Sequence, residues 1–125
     1  MVDLPALIAT LILLVLSAFQ IALAAGAPLG HFAWGGHHRV LPVRQRTASV
    51  SALAIYALVV SFVAQSAGWT TIWPEGWIEP TLWIITCYLA VSVGLNAMSK
   101  SRAERLVMTP VAAVLTALFL TLVLS

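Results

Sequence analysis

The chain alternates between long apolar runs and short charged punctuation. No Asp, Glu, Lys or Arg falls between Asp3 and Arg39, between Arg46 and Glu75, between Glu79 and Lys100, or after Arg105. A helix that crosses a bilayer needs about 20 apolar residues, and each of the four charge-free stretches is long enough for one. The pattern predicts spans near 4–25, 47–67, 80–98 and 101–124. The expected fold is all-α: a four-helix transmembrane bundle with up-down topology, the whole of 1–125 forming one integral membrane domain.

Local signals place the ends of these helices. Asp3-Leu4-Pro5 has an acid before the first turn and a proline inside it, as helix starts do. Pro42 is placed to open the second helix, and Gly68 to cap its end. Pro80 falls in the first turn of the third. Ser101-Arg102-Ala103-Glu104 matches a capping box, in which the serine hydroxyl and the glutamate carboxylate satisfy orphan amides reciprocally. Pro110, inside the fourth span, is expected to kink it and free the Leu106 carbonyl. Between spans two and three, Trp69, Trp73 and Trp77 recur every fourth residue around Pro74 and Gly76. That segment reads as an interfacial turn with half-wet indoles and water-facing Glu75 and Glu79. Ala22–Ala27 offers small residues for signal cleavage, but no basic region precedes the long first run, so a retained span is expected.

Composition agrees with lipid as the solvent. Of 125 residues, 62% are hydrophobic and 8% charged, where soluble domains carry about a quarter charged. The six basic residues form two groups, Arg39, Arg44, Arg46 and Lys100, Arg102, Arg105, within or beside the loops 26–46 and 99–101. The positive-inside bias puts both loops in the cytoplasm and both termini outside. A net charge of +2 with no long basic run excludes nucleic acid as a partner. The single Cys87 forms no internal disulfide.

The loop 26–46 holds four of the seven glycines, all three histidines and three of the six basic residues. Its Gly26-Ala27-Pro28-Leu29-Gly30, Trp34-Gly35-Gly36 and Arg39-Val40-Leu41-Pro42 are one set of motifs. The other is Asn96-Ala97-Met98-Ser99-Lys100-Ser101-Arg102-Ala103-Glu104-Arg105 with Pro110. Through these the chain resembles a family of small, uncharacterised four-span bacterial membrane proteins. The resemblance implies the fold and a multi-pass place in the bacterial cytoplasmic membrane, and carries no activity, substrate or cofactor. Gly26 to Pro42 and Gly94 to Pro110 are equally spaced across the two loops, which suggests two tandem hairpins of similar plan.

Candidate chemistry is sparse. His31, His37 and His38 have no Cys or acid near them in sequence, so neither metal nor another cofactor is expected. Gly26, Gly30, Gly35 and Gly36 offer tight turns and bare amides. With basic side chains on the same side, an anionic headgroup or phosphate has somewhere to settle. Candidate ligand-binding residues are therefore His31, Arg39, Asn96, Arg102 and Arg105. Asn96 also suits a structural role, fastening the two basic loops. No Asp, Glu, Lys, Arg or His lies in the middle of a predicted span, which disfavours proton-coupled transport.

The leading expectation is a non-enzymatic membrane protein that binds lipid, another copy of itself or a membrane protein partner through this loop. The alternatives are a binding or catalytic site for a small amphiphile or phosphorylated lipid at the cytoplasmic end, or an oligomeric channel or transporter. A concave pocket at the cytoplasmic end lined by Asn96, His31 and Arg39 favours the amphiphile site, a flat small-residue helix face on a filled bundle favours assembly, and water along an oligomer axis favours a channel.

Overall fold

The computed structural model describes residues 3–125, and every regular element among them is helical. The helices are α1 (Asp3–Ala24), α2 (Val43–Ser66), α3 (Ile78–Ala97) and α4 (Thr109–Leu124). A π-helical turn, Glu104–Met108, leads directly into α4. Short 3-10 turns occupy Gly30–Phe32, Trp34–Gly36 and Glu75–Trp77. Four helical segments are each long and apolar enough to cross a membrane, as expected from the charge pattern.

Helix termini follow local chemistry. Gly26 and Gly68 both have positive φ, and each ends its helix in a Schellman arrangement. At α2 the Gly68 amide donates to the Gln65 carbonyl and the Trp69 amide to that of Ala64; Gly26 and Ala27 do the same at α1. By contrast α2 starts at Val43, ahead of Thr47. Pro42 flanks it in extended backbone, and the Arg46 amide donates to the Pro42 carbonyl at 3.0 Å. The basic residues Arg44 and Arg46 therefore belong to the first turn of a helix, where charge does not prevent helix formation.

Ahead of Pro110 the helix adopts a π-turn. The proline ring has no N–H and crowds the carbonyl four residues back. The chain widens into the π-turn just upstream, a recurrent solution to such a clash. Thr10, Thr47, Thr86, Thr116 and Thr121 each donate a hydroxyl to the carbonyl four residues earlier. The Thr109 hydroxyl, just after the π-turn, is buried without a partner.

Helices α1 and α2 pack as one hairpin, α3 and α4 as another, and α1 joins them by packing on α4. Helices α2 and α3 barely meet. Gly26 closes α1, whereas Gly94 lies inside α3 in open space, so the equal spacing of the two loops does not make their parts equivalent. The core is Ala6, Ala9 and Leu13 of α1, Val63 of α2, Leu82 of α3 and Leu115, Phe119 and Leu122 of α4. The outer helix faces are apolar too: Val15, Ile84, Val91 and Leu95 are all more than 60% exposed. Helices apolar all round belong in a membrane.

Two sets of contacts identify the ends of the bundle. Asp3 accepts a hydrogen bond from the Trp69 indole at 3.2 Å, so the start of α1 meets the Trp-rich turn. Ser101 donates its hydroxyl to the His31 carbonyl, so the two basic loops meet each other. We call these the tryptophan end and the loop end.

Candidate functional site

The poor fit between α2 and α3 leaves a cleft of about 620 Å³, within the range of about 300–1,000 Å³ occupied by small-molecule sites. Its floor is buried and belongs to α1 and α4: Leu13, Leu23, Leu115 and Phe119 are each less than 5% exposed. Its lips are exposed and belong to α2 and α3: Ile55, Ile84 and Tyr88 are 57%, 68% and 70% exposed. The mouth therefore opens sideways, between two helices whose outer faces are apolar. From Ile84 to Asn96 the wall of α3 runs roughly 18 Å at helical rise.

The loop end is roofed by the segment 30–36, which contributes Phe32, Ala33 and Trp34 to the lining. Backbone geometry holds that roof. The Gly30 amide donates to the Arg39 carbonyl at 2.7 Å, and a Cβ at Gly30 would collide with the backbone of His38 and Arg39. Only glycine permits that approach. Phe32 meets Phe19 of α1 edge-on at 6.3 Å and the His31 ring at 4.2 Å. Trp34 has φ 54, the only positive value at a non-glycine position among the described residues, and its exposed indole stands at the cleft edge.

Polar groups gather at this end. Asn96 donates its amide to the Ser92 carbonyl at 2.8 Å, within its own helix. It does not fasten the two loops; Ser101 does. Asn96 Oδ1 keeps its accepting capacity. Ser49 lines the cleft and is only 3% exposed. Ser17, Ser51 and Ser92 donate to carbonyls four residues back, but the Ser49 hydroxyl makes no such bond. Deeper, Gln20 reaches the Tyr56 hydroxyl at 3.5 Å.

Glu104 is the only charged residue in the lining. Half of the expected capping box forms: the Glu104 amide donates to the Ser101 hydroxyl at 3.4 Å. The reciprocal half does not, because the Ser101 amide donates to Ser99 Oγ at 3.1 Å. The carboxylate is thus not consumed by the cap.

The other sequence candidates lie elsewhere. Arg105 donates to the Ser99 carbonyl at 2.9 Å. Arg39 and Arg102 are exposed, outside the cleft. Arg46 instead donates to the Ala24 carbonyl at 2.9 Å and so caps α1, and a side chain at Gly26 would meet its guanidinium. His31 contributes its carbonyl to Ser101 and its ring to Phe32. Gly35 and Gly36 both take positive φ in the second 3-10 turn, with Gly36 against Ser101. Of the five ligand candidates, only Asn96 lines the cleft. Sequence reasoning missed Ser49, Trp34 and the place of Glu104 in the lining. Glu104 carried the one available signal, as the only acid at the loop end.

No family model, curated protein or solved structure matches this chain.

Proposed function

We propose that this chain is a multi-pass protein of the cytoplasmic membrane, with its loop end inside the cell, that holds the alkyl chain of an amphiphile between its two hairpins. The observation that carries the reading is the cleft, with a buried apolar floor and a mouth between exposed apolar helix faces. An alkyl chain entering sideways exchanges lipid contacts for protein contacts, so net binding comes from fit and from the head. The bundle is not filled, which favours ligand binding over pure assembly through the loop. The orientation rests on the grouping of basic residues, all of which flank the two loops that meet.

The test uses liposomes of phosphatidylcholine bearing a photoactivatable acyl chain. Lipid-facing residues such as Val15 label in any case and serve as the internal control. Labelling of the floor, at Leu115 and Phe119, is expected only if chains enter the cleft. Ala52→Trp, which fills the α2 wall, should abolish floor labelling and leave Val15 labelled. An unlabelled floor in the wild-type protein rejects the proposal.

A further inference from the structure

We infer that the cleft selects amphiphiles with a cationic head, held at the loop end by Glu104 together with Asn96 Oδ1 and Ser49 Oγ. This rests on the reading of the cleft as an alkyl-chain site and specifies what lies at the other end of the chain.

The argument begins from charge. Six cationic side chains surround the loop end in sequence, yet none lines the cleft. Arg46 and Arg105 are committed to backbone carbonyls, and Arg39, Arg44, Lys100 and Arg102 are exposed. An anionic head thus finds its partners on the outer surface of the loops, not inside. Within the cleft the only formal charge is negative, on Glu104. A carboxylate at an apolar cavity gains most from a cation, since charge-assisted bonds are the strong ones and low polarity amplifies them.

The neutral partners agree. Ser49 is nine-tenths buried and more, lines the cleft, and lacks the back-bond that other helical serines make. Its hydroxyl makes no hydrogen bond within the protein and is free to bond a group in the cleft. Asn96 gives one amide N–H to Ser92 and keeps Oδ1 as an acceptor for the cleft. Glu104, Asn96 and Ser49 each carry an oxygen able to accept from the N–H groups of an ammonium. The roof adds aromatic faces from Phe32 and Trp34, and such faces attract cations.

Strain supports the same assignment. A bulky residue at φ 54 is an outlier, and such outliers collect where a side chain must be aimed. Here the aimed group is the Trp34 indole at the edge of the cleft.

The experiment is competition against the photoactivatable lipid, read as floor labelling at Leu115 and Phe119 in the same liposomes. Three competitors share one chain and differ in head: dodecylammonium, dodecyl maltoside and dodecyl sulfate. Dodecylammonium should compete best. In Glu104→Gln its advantage over dodecyl maltoside should shrink by on the order of tenfold, and Glu104→Asp should restore part of it. If no competitor lowers floor labelling, the alkyl-chain reading itself fails. If all three compete equally in the wild-type protein, or if the sulfate is preferred, the chain site stands and the head-group inference is overturned. The same holds if Glu104→Gln leaves the ranking unchanged. The wild-type ranking alone decides the matter should a variant not fold.

Discussion

The two ends of this bundle use buried polar groups in opposite ways. At the tryptophan end, Gln65 is 8% exposed and uses both ends of its amide: Oε1 accepts from the amides of Ile72 and Trp73, and Nε2 donates to the Trp73 carbonyl. Trp73 in turn gives its indole N–H to Ser61 and stacks on Phe62 at 4.9 Å. At the loop end, Ser49, Asn96 Oδ1 and Glu104 border a cleft and keep their hydrogen-bonding capacity. The first arrangement closes a turn. The second leaves a site. A polar residue in an apolar helix signals function only when its neighbours do not already satisfy it.

The largest effect should come from breaking the satisfied end. Gln65→Leu leaves two amides and a carbonyl of the Trp turn without partners, and should destabilise the protein by about 3 kcal/mol. Unfolding in mixed micelles measures it. Floor labelling in the cleft should persist under conditions where the variant remains folded, because the turn is at the other end. A Gln65→Leu protein as stable as wild type would erase the contrast drawn between the two ends.

Gly30→Ala should come next, at about 2 kcal/mol of destabilisation from overpacking. Its Cβ meets backbone, which cannot swing away as a side-chain tip can. Unlike Gln65→Leu, it should lower floor labelling in the folded fraction, since the displaced roof carries Phe32 and Trp34.

Pro110→Ala should have the opposite sign on stability. With an N–H restored, the π-turn has no steric cause, and Thr109 can reach the Arg105 carbonyl in a regular helix. A gain of about 1 kcal/mol is expected, with slower deuterium exchange across 104–109. Loss of the π-turn also turns Glu104 by about one residue of helix, roughly 100°, so dodecylammonium should lose its advantage as stability rises. Stability and binding moving together would deny that the π-turn serves the cleft.

Much of the fold was legible before any coordinates. The four apolar segments follow from where charges are missing, and lipid imposes helices on them. The C-terminal cap at Gly68 was legible for the same reason, because it depends on one residue's backbone freedom. The cleft was not legible. It depends on which pairs of helices fail to pack, and α2 and α3 carry no marker of that failure in their uniformly apolar faces. Asn96 stands out by its polarity, whereas Arg39, His31, Arg102 and Arg105 stand out as the charged and imidazole side chains of the two loops; Arg105 turns to a backbone carbonyl, Arg39 and Arg102 to solvent, and His31 packs on Phe32. Gln65 shows the converse: an amide at the end of a span resembles helix glue until the following turn is seen folding back onto it.

The smallest expected change is also the most discriminating. Trp34→Gly relieves the about 1 kcal/mol that a left-handed conformation costs a bulky residue, since glycine takes that conformation freely. Against this stands the contact surface of an indole that is half exposed. The two contributions nearly cancel, so melting should shift upward slightly or not at all. Binding should respond more clearly. An exposed aromatic face contributes about 0.5–1 kcal/mol to a cation, which predicts a two- to five-fold loss in competition by dodecylammonium and none by dodecyl maltoside. If Trp34 were merely an interfacial anchor, its removal would weaken every amphiphile alike or none. A loss confined to the cationic head is what separates an aimed side chain from a half-wet one, and separates the unsatisfied end of the bundle from the closed one.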